Sequence, residues 1–344
     1  MAQATSHYDV QKQRREDIVE EWNRNRKALG KGAQLTLEPS PIRGVRQGML
    51  IGTDGGVPTR SIDCRIVEIP WGGRTSTHRH SYDAIMFIIS GRGSTLIDGV
   101  RYDWEPRDAL HVPSWSWHQH ANRDGRESAR YLSFTTAPLM DLFNLLAVED
   151  LGETAPPPPS TPARPLAEVV AAAKRSGGRS SYEAELERAL AQEEARRSAT
   201  RHTRWKDTRL VLNRKGTKSA FLVDPTLGYR TTGLTAVLFQ MAPGSWQASH
   251  RHGGEAVLYV VDGKGYSMVD GERYDWQTGD AVLVGKWAWH QHFNTDPHRV
   301  ATMLRMHMEE SLGNLMRILL SPLELFNEPE KWDGPDPATL RWPE

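Results

Sequence analysis

The sequence predicts an all-β protein in which one sandwich- or barrel-like unit is built twice in tandem, with helices at its periphery. Two observations carry this. The first is a repeat: His78-Arg79-His80 returns as His250-Arg251-His252, and Trp115-Ser116-Trp117-His118-Gln119-His120 returns as Trp287-Ala288-Trp289-His290-Gln291-His292, both at an offset of 172 residues. Between 78–122 and 250–294 the register never slips and 21 of 45 positions are identical, the mark of two copies of one structural unit. The second is a succession of short apolar segments punctuated by turn signals at intervals of roughly eight to twelve residues, as sandwiches and barrels require.

The elements follow in order. Residues 8–29 read as a charged helix, with Ile18 and Trp22 four apart on one face. Residues 61–69 alternate loosely as a strand, and 84–89 form a continuous apolar run closed by Gly91 and Gly93. Residues 94–97 and 100–104 form a hairpin, because Asp98-Gly99 tolerates the positive φ of a two-residue turn. Residues 109–112 and 130–134 add strands, and 137–148 read as a helix. A proline-rich linker over 155–165 is stiff and extended, and 166–200 form a charged helix broken near Gly177-Gly178. The second unit runs from about Phe221 through Met308, with a helical tail over 311–328. The expected division is a helical extension (1–40), a first barrel (41–150), linker and charged helix (151–205), a second barrel (206–328) and a tail (329–344).

Composition narrows the function. A chain of 344 residues holds two cores of ordinary size. Its 43 basic and 43 acidic residues balance without a long basic block, so nucleic acid is not expected as a partner. Cys64 is the only cysteine, which excludes an intrachain disulfide and suits a reducing compartment. With neither a secretory h-region at the N-terminus nor an apolar run of the roughly 18 residues that span a bilayer, the expected location is the cytoplasm, with no membrane partner.

On a strand, residues i and i+2 face the same side, so His78 and His80 can reach one point, joined by His118 from a later strand. Three neutral imidazoles converging inside a barrel suit a divalent transition metal, and His250, His252 and His290 repeat the set as a possible second metal site. His120 lies two residues beyond His118 on the same face. It is a candidate for proton transfer or for orienting its neighbour, and His292 matches it. Trp115 and Trp117 recur in both copies, as packing residues would; Trp117 is also a candidate substrate contact.

These residues resemble the cupin family, specifically the bicupins. Gly73 followed by His78-x-His80 and a strand ending at Gly91 looks like the first cupin motif, and Pro113 leading to His118 and Asn122 looks like the second. The likeness covers about 60–148 and 221–325 and implies two tandem double-stranded β-helix (jelly-roll) barrels. Most metal-binding cupins place a glutamate seven residues before the closing glycine; here those positions are Ala84 and Ala256. Asp83 and Glu255 stand one residue away, where strand parity points them outward unless a bulge re-aims them.

Within the cupins, the carboxylate-free strand and the stretch 113–122 are similar to gentisate 1,2-dioxygenases. That resemblance implies Fe(II) held by His78, His80 and His118, O2 as co-substrate, a hydroxylated aromatic substrate, catalysis in the first barrel and a homo-oligomer. It also implies an arginine six residues after the HxH pair, to clamp the substrate carboxylate; the chain has Met86 there, and Leu258 in the second copy. Arg65 on the preceding strand is the first candidate to replace it, with Met86 forming an apolar wall. Two other readings use the same ligands: an isomerase or lyase working without O2 on Mn, Zn or Ni, and a bicupin that binds a small molecule without turning it over.

Overall fold

The computed structural model describes residues 6–24, 28–41, 44–158, 168, 180–308 and 333–343. The expected helix over 311–328, the break near Gly177-Gly178, the linker beyond residue 158 and the side chains of Ile18 and Trp22 lie outside the described residues.

Each repeat folds into two facing antiparallel sheets. In the first, the larger sheet runs in the order His202–Thr203, Ala109–Val112, Ala84–Ser90, Ala129–Thr135, Asp63–Ile69, Arg46–Ile51, Glu38–Pro39. The smaller sheet runs Val148–Gly152, Thr77–His80, His118–Asn122, Gly93–Ile97, Val100–Trp104. The second repeat reproduces the larger sheet as Leu29–Gly30, Ala281–Val284, Ala256–Asp262, Ala301–Met308, Leu234–Met241, Thr217–Val223, Val211–Leu212. Its smaller sheet holds Glu272–Gln277, Lys264–Val269 and His290–Asn294. The Asp98-Gly99 turn carries φ values of 47° and 84°, the left-handed pair that a two-residue hairpin needs.

The continuous apolar run of the sequence now has its reason. The strand Ala84–Ser90 is buried on both faces. Ala84, Met86 and Ile88 fill the first barrel, whereas Ile85 and Phe87 join a core shared with Val257, Tyr259, Leu283 and Leu304 of the second. A strand covered on both sides has no solvent face and so shows no alternation. The two larger sheets thus pack back to back through one apolar layer.

The barrels are joined further at their edges. Leu29–Gly30, upstream of the first barrel, pairs with Val282 and Ala281 of the second; His202–Thr203, upstream of the second, pairs with Leu110 and Ala109 of the first. Each arm covers the other barrel's edge strand.

Two elements differ from expectation. The segment 137–148 forms only the short helix Ala137–Leu142; the chain then turns into the strand Val148–Gly152, where Val148 pairs with His80 and Asp150 with His78. The sheet needs a partner for that edge of the histidine strand, and this requirement overrides local helix preference. The charged helix spans Ser181–Ser198 and starts at a capping box, in which the Ser180 and Glu183 side chains satisfy one another's backbone N–H groups.

Asp83 and Glu255 prove to be fasteners between the barrels. Asp83 accepts from the backbone N–H of Ser114 in its own barrel and of Thr232 in the other, and faces His111 Nε2 at 3.4 Å. Burial works to raise its pKa, but His111 and these N–H donors hold it below the usual carboxylate range. Glu255 accepts from the N–H groups of Arg60 and Ser61 and from Ser61 Oγ. Arg60 and Thr232 are equivalent in the repeat, so the fastening is reciprocal. Asp83→Ala and Glu255→Ala are each expected to cost about 2–3 kcal/mol by orphaning buried donors, read as a lowered thermal midpoint; a midpoint unchanged in both variants would refute the role.

Candidate metal centres

The strand Thr77–His80 places His78 and His80 on its inner face, and His118 on the adjacent strand lies directly opposite His78. The rings of His78 and His118 are 4.1 Å apart between centroids, and those of His80 and His118 4.7 Å. All three are buried, and one ring nitrogen from each lies within 4.8 Å of the others. The second barrel repeats the triad as His250, His252 and His290, again within 4.8 Å, with centroid separations of 4.2 and 4.7 Å.

Backbone carbonyls fix the tautomers. Nδ1 of His78, His80 and His118 contacts the carbonyls of Ser76, Tyr82 and Ser116 at 2.9, 2.7 and 2.8 Å. In the second barrel Ala248, Gly254 and Ala288 do the same, each at 2.9 Å. A carbonyl only accepts, so each Nδ1 carries the proton and each Nε2 keeps its lone pair for the centre. His252 Nε2 is buried without a hydrogen-bond partner, an arrangement that a metal ion would satisfy. The donor set therefore fits a divalent metal in both barrels. No carboxylate joins either group among the described residues.

The turn before the third histidine is shaped for it. Trp115 and Trp287 adopt left-handed backbone, φ 61° and 55°, which is strained for a bulky residue. Their N–H groups donate to the carbonyls of His80 and His252, locking the turn to the HxH strand. The arginine inside each HxH pair seals the outside: Arg79 lies 4.5 Å from the rings of both Trp115 and Trp117, and Arg251 sits over Trp287 and Trp289. Trp117 therefore packs under Arg79 and does not line the cavity at the triad, a correction to its expected substrate contact; His118 faces inward, so the adjacent residue faces out.

Arg65, Met86 and His120 do line the first cavity, together with Tyr82 and Tyr131. Arg65 is committed to an ion pair with Asp63. Trp104 Nε1 donates to Thr95 Oγ1, which meets His120 Nδ1 at 2.9 Å; Trp276, Ser267 and His292 repeat the chain. When the hydroxyl donates to Nδ1, the imidazole presents an Nε2–H to the cavity. Burial pushes His120 well below the ordinary imidazole range, and the charges of His78 and His80 push the same way, so it is neutral near pH 7.

The space is distributed against the expectation that the first barrel does the chemistry. The first cavity measures about 40 Å³ and the second about 390 Å³. Tyr82 stacks on His80 at 3.8 Å, whereas its repeat equivalent is Gly254. Three residues that sequence reasoning passed over line or flank the larger cavity: Arg305, Lys215 and His307, the last with its ring tilted against that of His252 at 4.2 Å between centroids. Arg305 and His307 stand at the repeat positions of Ser133 and Thr135, so a comparison of the copies strand by strand carries the signal.

Burial holds His80 and His292 at about 3. In the unfolded chain these groups take up protons near 6.5, and in the fold they do not until far lower pH. Stability of metal-stripped protein is thus expected to fall as pH drops from 6.5 toward 5, above the range of carboxylate titration; a thermal midpoint that is flat or rising over that interval would count against it. Metal analysis is expected to give about two ions per chain, one lost in His118→Ala and the other in His290→Ala.

The Cupin domain family matches residues 65–135 and 237–305. A 5-aminosalicylate 1,2-dioxygenase from Comamonas sp is 31% identical over 119 residues, 35% of this chain and 31% of that relative. This chain thus matches under a third of that relative's length. A 1-hydroxy-2-naphthoate 1,2-dioxygenase from Nocardioides sp. (strain KP7) is 24% identical over 300 residues, 83% of this chain and 71% of the relative. The solved salicylate 1,2-dioxygenase from Pseudaminobacter salicylatoxidans superposes with a TM-score of 0.56 at 17% identity, covering 83% of this chain and 78% of that one. The chain thus carries two Cupin domains, each with an all-histidine triad, and resembles the gentisate 1,2-dioxygenases.

Proposed function

We propose that the chain is a non-haem Fe(II)-dependent dioxygenase that cleaves the ring of a hydroxylated aromatic substrate with O2. The observation that carries the reading is the donor set: three buried neutral imidazoles with no carboxylate beside them among the described residues. Such a set leaves the full charge of a divalent ion uncompensated and several coordination positions open, which suits an anionic oxygen ligand together with O2. The relatives named above act on hydroxylated aromatic acids and lend support.

When bound to either triad, Fe(II) supplies the redox chemistry that joins O2 to the ring; both oxygen atoms enter the product as one ring carbon–carbon bond breaks, so no external reductant is consumed. The protein's part is to hold and orient. The triad carbonyls fix the imidazoles before substrate arrives. His120 or His292, neutral, is placed to take the proton of the substrate's phenol at Nε2 in the tautomer whose Nδ1–H donates to the neighbouring hydroxyl. In the first barrel, Arg65 and Met86 are the residues that would meet a substrate.

The test is O2 uptake by iron-loaded protein with a panel containing gentisate, salicylate, 5-aminosalicylate and 1-hydroxy-2-naphthoate. Consumption of about one O2 per ring cleaved is expected with at least one, with loss of about 10²–10⁴-fold when the operative proton-handling histidine becomes glutamine. Anaerobic turnover on Mn, Zn or Ni would favour the isomerase or lyase reading, and ligand binding without any product would favour the non-catalytic one.

A further inference from the structure

The two triads are near copies, but their surroundings are not. An apolar cavity of about 150 Å³ is enough to hold benzene. The first barrel's space of about 40 Å³ falls well short of that, and the second barrel's of about 390 Å³ exceeds it and lies within the range of ordinary ligand pockets. Phe221, Phe239 and Leu258 give the larger cavity an apolar lining, which His250, His252 and His290 share.

Charge divides the barrels in the same sense. In the first, Met86 lies opposite Ser133 and Ser133 opposite Arg65, so the row across three strands carries one arginine, neutralised by Asp63. In the second, the equivalent row is Leu258, Arg305 and Val237. Its arginine has moved to the central strand, directly opposite the position where the resemblance expects one. Arg305 is joined in the lining by Arg214 and Lys215, and among the described residues no acidic side chain lines this cavity. Lys215 and Arg305 line the same cavity as His250, His252 and His290.

We infer that the second barrel receives the aromatic ring, and that Arg305, with Lys215, binds a carboxylate carried on that ring while the ring's hydroxyl faces His250, His252 and His290. The inference rests on the ring-cleaving reading above and adds to it the barrel, the anion-binding residues and an acidic aromatic substrate. A planar guanidinium matches a carboxylate through two parallel hydrogen bonds, and the cavity's apolar lining matches the ring face.

The test is calorimetric binding, under argon, of gentisate and of hydroquinone (the same ring without its carboxylate) to iron-loaded protein. Arg305→Leu is expected to weaken gentisate about tenfold to a hundredfold, to leave hydroquinone and the metal content unchanged, and to be partly rescued by Arg305→Lys. Lys215→Met should weaken gentisate to a smaller degree, and serves if Arg305→Leu fails to fold. Arg65→Leu should leave gentisate within about twofold. Weakening by Arg65→Leu but not by Arg305→Leu or Lys215→Met would overturn the inference, as would equal loss of both ligands in the Arg305 and Lys215 variants, or no gentisate binding by the wild type. O2 uptake is scored separately. Uptake abolished by Arg65→Leu but retained in Arg305→Leu leaves the dioxygenase reading standing and the inference fallen; Arg305-dependent gentisate binding with no uptake on any substrate leaves the reverse.

Discussion

The apolar layer between the two larger sheets is the constraint on which the rest depends. Ile85, Phe87 and Leu132 from one repeat meet Val257, Tyr259 and Leu304 from the other in one buried cluster. Because side chains alternate along each strand, the residues between them are driven inward: Met86 and Ile88 in one barrel, Leu258 and Val260 in the other. A slip of one residue would exchange the shared core for the cavity wall. The register that buries the shared core thus also decides which residues face each triad.

Asp83 and Glu255 show the same parity at work. One residue from an expected metal ligand, each points away from its own cavity and across to the other barrel. A negative charge withheld from the triads preserves the field that an anionic ligand would meet. The carboxylate that would have quenched the site holds the two halves together instead.

Much of this was legible in the sequence, for physical reasons. Histidines at i and i+2, repeated without a slip, can only be on one face of equivalent strands, so both triads stood out, as did the hairpin at Asp98-Gly99. The edge exchange by Leu29–Gly30 and His202–Thr203 did not, because a strand of two residues has no periodicity to read. The helix expected over 137–148 failed at Val148, where a tertiary partner, the histidine strand, outweighed local preference. Arg305 was missed because its meaning lies across the sheet: it is far from Leu258 along the chain and opposite it in the ladder. The contrast of Tyr82 with Gly254, and of Thr135 with His307, was visible as bare substitutions between copies, but what each does to cavity volume depends on packing.

The exchanged edge strands also bear on how the molecule can come into being. The first barrel's sheet is finished by residues that follow the linker, and the second barrel's by residues that precede the first. During synthesis the first barrel's edge strand therefore waits for His202–Thr203 to cover it, and its apolar back waits for the second barrel's strands. Closing those contacts joins segments far apart in the chain, a slow event in folding. A gene cut between the repeats would part the second barrel from the arm Leu29–Gly30 that covers its edge, and would expose the apolar layer that the two barrels share.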